Sequence, residues 1–196
     1  AVLSSREIKC WGENFAGQLG DGTTDDRSTP VTVSGISTAT SVSLAGGGRD
    51  HICASLSTGI VKCWGNNSMG QLGNGTTTDS TTPVTVSGIS TATSVAVGAG
   101  PHSCALVSNN TLQGKCWGNN AYGQLGDGST TTTQFPAEVK GITNAKMISA
   151  GFQHACAIVY NNLVKCWGLL QLDFLGLEHF TPFVQSCLEN TRLLQT

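Results

Sequence analysis

Apolar and polar residues alternate along the chain in short segments, separated by stretches rich in Gly, Ser, Thr and Asn. Alternation of this kind, together with β-branched residues and segment lengths of about four to eight, favours strands over helices. The pattern predicts an all-β chain. Its strands fall into three sets of four, at 30–33, 40–44, 51–56 and 60–64, at 83–86, 93–97, 102–107 and 113–117, and at 136–139, 145–149, 154–159 and 163–167.

One segment recurs throughout the chain. It runs from Cys63 to Gly75 as CWGNNSMGQLGNG, has counterparts that begin at Cys10 and Cys116, and starts again at Cys166. The step between copies is about fifty residues, the length of one propeller blade of four antiparallel strands. We therefore expect a partial β-propeller of about three four-stranded antiparallel blades, preceded by half a hairpin.

The repeats divide the chain into two regions. Residues 1–168 form the partial propeller, with units near 1–12, 13–65, 66–118 and 119–168. The tail, 169–196, abandons the pattern and is predicted to be irregular. It is either a cap on the last blade or a segment without evolved structure, such as an out-of-frame readthrough. The abrupt loss of every repeat position favours the second interpretation.

Three blades cannot close a ring, because propellers typically have about four to eight. We expect either that further blades complete a parent ring or that open blade faces drive self-association. The chain also begins one residue after the position where the repeat would place a cysteine, so it resembles a piece of a longer chain. A targeting segment could have preceded it.

Composition excludes several functions. Only 11% of the residues are charged, the net charge is −2 and no basic run occurs, which argues against binding to nucleic acid. No apolar run is long enough to span a bilayer.

The cysteines follow the repeat. Seven of the eight occupy two repeat positions, and Cys187 lies in the tail. Counting outward from the hairpin loop 57–59 places Cys53 opposite Cys63, in a pair close enough for a disulfide. The hairpin between Cys104 and Cys116 has two more residues. They lengthen the loop symmetrically, so these two cysteines also lie opposite each other.

Three disulfides are therefore predicted, and they pair Cys53 with Cys63, Cys104 with Cys116, and Cys156 with Cys166. Disulfides indicate an oxidising location, so the chain would be secreted, periplasmic or at the cell surface. The alternative is three pairs of buried free thiols in a cytoplasmic protein. Cys10 has no partner and should be a free thiol.

Each blade also carries His-x-Cys, which suggests zinc. No further ligand recurs with the repeat, so histidines hydrogen-bonded to backbone between blades are the favoured interpretation. The histidines recur identically, and no nucleophile motif is present. We expect no enzymatic activity, no metal and no cofactor.

Variable loop residues are the candidate binding site. Two loop positions differ between repeats and carry aromatic, Met or charged residues, which are typical of protein-binding surfaces. For any single position, solvent-exposed drift without selection is an alternative of at least equal weight. The candidates are Phe15, Met69, Tyr122, Arg49, Asp50 and Phe152.

Four motifs recur in fixed order: Cys-Trp-Gly, Gly-Gln-Leu-Gly, a Thr-Pro or Phe-Pro strand start, and Ala-Gly-x-x-His-x-Cys-Ala, the last shown fully at 150–157. With these motifs, residues 1–168 resemble the regulator of chromosome condensation repeat family, and the paired cysteines resemble its bacterial, often extracellular, branch. The resemblance implies a fragment of a seven-bladed propeller. It also implies binding through loops on one face, the theme that members share as exchange factors, chromatin binders, photoreceptors and inhibitors.

Two functions are favoured, and a hydrolase or metalloenzyme stays open only if lost blades or other domains carried the chemistry. The first is a non-enzymatic interaction module of a secreted or surface protein, which binds an unidentified protein or polysaccharide. The alternative is an intracellular regulatory propeller, such as a guanine-nucleotide exchange factor for a small GTPase, although the inserted wedge of those factors is not seen in these compact repeats.

Overall fold

The structure is a computed structural model that describes residues 1–44 and 50–169. The predicted tail, apart from its first residue, therefore lies outside the described residues, as do Arg49 and Cys187. The described part is all-β, as predicted. Its strands are β1 (Lys9–Gly12), β2 (Arg27–Thr32), β3 (Ala39–Leu44), β4 (His51–Leu56), β5 (Val61–Gly65), β6 (Ser80–Thr85), β7 (Ala92–Val97), β8 (His102–Asn109), β9 (Thr111–Gly118), β10 (Thr133–Thr143), β11 (Met147–Ala150), β12 (His154–Ile158) and β13 (Val164–Gly168).

The strands form four antiparallel sheets among the described residues. Two have four strands, in the orders β3-β4-β5-β6 and β7-β8-β9-β10. The third sheet has β11, β12 and β13, and the remaining sheet pairs β1 with β2. A 3₁₀ turn, Tyr160–Asn162, joins β12 to β13. This arrangement confirms the expected partial propeller.

The sheets are offset by one strand from the repeat units. β6 lies in the unit 66–118, but it pairs with β5 of the preceding unit, with Cys63 opposite Val84. The reason is that the long connection 66–79 returns the chain antiparallel to β5, along the edge that β4 leaves free. Periodicity alone does not decide which neighbour an outer strand joins, so the offset is a property that only the pairing shows.

The two four-stranded sheets pack on both of their faces, because neighbouring residues of a strand point to opposite sides. Ile52 and Ala54 of β4 belong to the apolar cluster shared with the preceding β1–β2 sheet. Cys53, between them, belongs to the cluster shared with the following sheet, which contributes Ala105 and Trp117. The cores of the molecule therefore lie between sheets.

The first strands of successive sheets, β3, β7 and β11, contact one another, so the sheets converge along this edge. Antiparallel order then places alternate connections at one common end of the sheets. We call this the loop end, and among the described residues it consists of the connections 13–26, 66–79, 98–101, 119–132 and 151–153, together with residue 50. Within the described ranges, no helix has the length and apolar character that a membrane crossing requires.

Candidate functional site

The two variable loop positions of the sequence meet at the loop end. The backbone N–H of Asn66 donates to the carbonyl oxygen of Asp50, at 3.0 Å. The next blade repeats this contact between Asn119 and Pro101, at 2.8 Å. These two long connections are thus attached to the short connections beside them, and the candidate residues of both kinds share one end of the molecule.

A buried asparagine holds each long connection in shape. The side chain of Asn67 is fully buried, and its Nδ2 donates to the carbonyl oxygens of Thr76 and Thr78, both at 3.0 Å. Its Oδ1 accepts from the N–H of Leu72, at 2.9 Å. Asn14 and Asn120 are equally buried at the same repeat position. Satisfied buried amides of this kind make a loop rigid, so these connections form a defined surface.

Aromatic side chains project from this surface. Phe15 is 56% exposed, Tyr122 45% and Phe152 57%, although aromatic rings usually lie in cores. Met69 and Asp50 are half-buried in the same set of connections. The arrangement combines a rigid backbone with exposed apolar groups, which is suited to macromolecular contact and lowers the entropy lost on binding. Arg49, the remaining candidate, lies outside the described residues.

Two aspartates of the long connections remain ionised at neutral pH. Burial alone would raise the pKa of Asp21, but hydrogen bonds from the hydroxyl and N–H of Thr23 and from Arg27 outweigh it and lower the pKa. At Asp127, burial is likewise outweighed by hydrogen bonds from Ser129 and Asn120, so its pKa is also lowered. The connections therefore carry fixed negative charge.

The cysteine pairs are joined as disulfides in the three hairpins, Cys53–Cys63, Cys104–Cys116 and Cys156–Cys166. Their Cα atoms are about 4 Å apart, as expected for opposed residues of adjacent strands. Cys10 is a free, buried thiol, and burial raises its pKa. The disulfides lie within the sheets that support the loop end.

Sequence reasoning missed one polar contact. Where the other two blades have Ile52 and Ala155, the middle blade has Ser103, whose hydroxyl lies 2.7 Å from Nε2 of His51. The same hydroxyl donates to the carbonyl oxygen of Gln71, at 3.0 Å. The sequence signal for this contact was Ser103 itself, a polar residue at a repeat position that is otherwise apolar. Ser103 and His51 are fully buried, so the pair joins blades and is out of reach of a substrate.

Two of the three repeated histidines, His51 and His102, are fully buried. His51 has a side-chain partner at Nε2, where the sequence interpretation favoured backbone. Burial lowers the pKa of His102 to about 4, so its ring is neutral at physiological pH. The Cys of each His-x-Cys is committed to a disulfide. In the described ranges, no three His, Cys, Asp or Glu side chains come together as a metal site.

Comparison with known proteins agrees with the repeat pattern. The family description "Regulator of chromosome condensation (RCC1) repeat" matches residues 10–55, 59–106 and 116–158. The chain belongs to this family. The ultraviolet-B receptor UVR8 of Arabidopsis thaliana is 31% identical over 182 residues, which are 90% of this chain and 40% of UVR8. This RCC1-repeat chain therefore spans well under half of that relative.

Solved RCC1-like propellers have the same fold. Human WBSCR16 superposes with a TM-score of 0.72 at 23% identity, over 85% of this chain and 44% of that one. Prp20p from Saccharomyces cerevisiae superposes with a TM-score of 0.64 at 21% identity, over 83% of this chain and 41% of its own. At these identities the likeness concerns the fold alone.

Proposed function

We propose that this RCC1-repeat chain is a non-enzymatic protein-interaction module that binds its partner through the loop end. The observation that carries the proposal is the exposure of Phe15, Tyr122 and Phe152 on connections fixed by buried asparagines. Such side chains offer large apolar area with few rotatable bonds, which favours protein binding. Met69, Asp50 and Arg49 are the remaining residues assigned to this surface.

The proposed setting is secreted, periplasmic or at the cell surface. Three disulfides support it, since structural disulfides persist where the environment is oxidising. They join β4 to β5, β8 to β9 and β12 to β13 in three successive sheets. The partner is taken to be a protein, with a polysaccharide as the other ligand that such a surface can accommodate.

An intracellular regulatory propeller, such as a guanine-nucleotide exchange factor for a small GTPase, is the second candidate. The observation that favours it is the similarity to Prp20p, whose binding properties to Gsp1p and histones are known. The two settings differ in the state of the cysteines. Alkylation of protein taken directly from its source, followed by mass measurement, should find six protected cysteines in the three hairpins; six free thiols there would contradict the secreted setting.

The binding surface is tested by affinity capture with immobilised protein. The double variant Phe15→Ala/Tyr122→Ala should lose the proteins that the parent chain captures from extracellular and surface fractions of its source. Tyr160→Ala is the matched control, because Tyr160 is 66% exposed at the opposite end of the sheets. Loss with the control variant, or retention with the double variant, would show that binding occurs elsewhere.

A further inference from the structure

Charge is distributed unequally between the two ends of the sheets. Nine acidic residues lie within the described ranges, and seven of them belong to the loop end: Glu13, Asp21, Asp25, Asp26, Asp50, Asp79 and Asp127. Glu7 and Glu138 are the two that lie elsewhere. An overall charge of only −2 therefore conceals a strongly acidic end.

Basic side chains mostly avoid the loop end. Of those described, Arg27 borders it, and its guanidinium pairs with Asp21 at 3.0 Å. The side chain of Lys140 also reaches it, beside Gly128. Several lysines contact the opposite end. Nζ of Lys62 lies 3.4 Å from the carbonyl oxygen of Gly35, and Nζ of Lys165 lies 3.0 Å from that of Gly141. The protein thus has an electrostatic polarity along its strands, with the negative side where the aromatic residues are exposed.

Some loop-end carboxylates stabilise the connections themselves. Asp26 and Asp79 accept hydrogen bonds from the backbone N–H groups of Asn14 and Asn67. Others are available to a ligand. Glu13 is exposed, and the side chain of Asp25 is 75% exposed, with the Arg27 guanidinium 3.9 Å away. Both belong to the connection that carries Phe15, so acidic and apolar groups occur together on this surface.

We propose that the loop end binds a lysine- or arginine-rich polypeptide segment that also carries apolar side chains. This inference rests on the proposed function and names the chemistry of its partner. A surface with this charge attracts basic segments over a distance and repels nucleic acid, anionic lipid and acidic polysaccharide. Phe15, Tyr122 and Phe152 supply the contact area that charge alone lacks.

The test uses a short fluorescent peptide of Lys, Arg and Leu residues, with fluorescence anisotropy as the measurement. Two matched peptides are compared with it, one with Glu in place of Lys and Arg and one with Ser in place of Leu. The basic, apolar peptide should bind best, and rising salt should weaken it because exposed charges are screened. Equal binding of the Glu peptide, or binding that ignores salt, would overturn the proposal.

Variants then locate the site. Glu13→Gln/Asp25→Asn should weaken peptide binding by about threefold to tenfold, as expected for two exposed carboxylates near a ligand. Glu7→Gln/Glu138→Gln removes the same charge away from the loop end and should leave binding unchanged. If the two double variants weaken peptide binding equally, binding depends only on the net charge of the protein, and the proposal is wrong.

Failure of this inference is distinguishable from failure of the proposed function. If captured protein depends on Phe15 and Tyr122 but the basic peptide does not bind, the loop end binds a partner of other chemistry and this inference is wrong. If a neutral polysaccharide competes while the peptide does not, the inference is also wrong. If capture ignores Phe15 and Tyr122 altogether, the proposed function itself fails.

Discussion

The indole N–H of Trp117 donates to the backbone carbonyl oxygen of Gln71, 2.8 Å away in the connection of the preceding blade. Trp64 makes the same contact with Gln18, at 2.9 Å. Both rings are fully buried, whereas Trp11, at the same repeat position, is 54% exposed. The repeated Trp-Gly and Gln-Leu-Gly motifs are therefore two halves of one interface between successive blades.

The first prediction compares two tryptophans at the same repeat position. Trp117→Phe should lower the free energy of unfolding by about 2 kcal/mol, since it removes a buried hydrogen bond and part of a packed ring. Trp11→Phe should change it by less than about 0.5 kcal/mol, because Trp11 is largely exposed. Urea unfolding followed by circular dichroism measures both. If both variants lose the same free energy of unfolding, the buried contact of the Trp117 indole does not contribute to stability.

The second prediction concerns two glycines with the same backbone conformation. Gly73 and Gly88 both have φ of +67°. A Cβ at Gly73 would lie 2.7 Å from Nε1 of Trp117, whereas one at Gly88 meets nothing within 4 Å. Gly88→Ala should therefore cost about 1 kcal/mol for the left-handed backbone alone. Gly73→Ala should cost at least about 2 kcal/mol more, because the blade interface must shift.

Urea unfolding of the two alanine variants separates backbone conformation from packing. Similar losses in both would show that the indole of Trp117 moves without cost, and that the interface between the blades is looser than its buried contacts indicate.

Much of the fold could be predicted from the sequence, because the residues that pack one blade recur in each repeat. Repetition identified the blades, and opposition of Cys53 and Cys63 across a hairpin follows from counting residues outward from the loop. The offset of the outer strands could not be predicted, since β6 could pair with β5 before it or with β7 after it in the sequence. Pairing with β5 depends on the path of the connection 66–79.

The candidate site was only partly accessible to sequence reasoning. Variation between repeats identified Phe15 and Tyr122 as candidates. The solvent exposure of their side chains could not be predicted from the sequence, because it depends on how far each connection folds over its neighbour. The concentration of carboxylates at one end was also missed. Glu13 and Asp79 are far apart in the sequence, and only antiparallel order brings their connections to the same end of the sheets.

The third prediction is that the disulfides differ in resistance to reduction. The following sheet covers the first two, so Cys53 and Cys63 are fully buried, whereas Cys156 and Cys166 in the last described sheet are partly exposed. Thiol–disulfide exchange requires access of a thiolate to sulfur. Under mild reductant, Cys156–Cys166 should open first, at least about tenfold faster.

Timed alkylation and peptide mapping measure this order. The Cys104–Cys116 bond is the internal control, since its sulfurs are as buried as those of Cys53–Cys63 and the two should open at similar rates. Simultaneous reduction of all three bonds under native conditions would mean that reduction proceeds through global unfolding.

The fourth prediction is a loss of stability in mild acid caused by His102. Burial lowers its pKa from 6.5 to about 4, so the unfolded chain binds a proton in this interval that the folded chain does not. The free energy of unfolding should therefore fall as pH decreases from about 6.5 to about 4, by about 3 kcal/mol in total. His102→Asn should remove this part of the pH dependence, whatever it does to stability at neutral pH.

The two aspartates with lowered pKa act in a separate range. Asp21 and Asp127 are ionised in the folded chain below the usual carboxyl pKa, so their contribution begins to fall at about pH 5 and is lost mainly below about pH 4, where unfolded aspartates take up protons. Because the parent chain and His102→Asn share these aspartates, the difference between the two in urea unfolding at a series of pH values above about 4 isolates the histidine. If the variant and the parent chain lose stability equally over that interval, His102 is not the group responsible, because a group that has been removed cannot bind the proton that destabilises the fold.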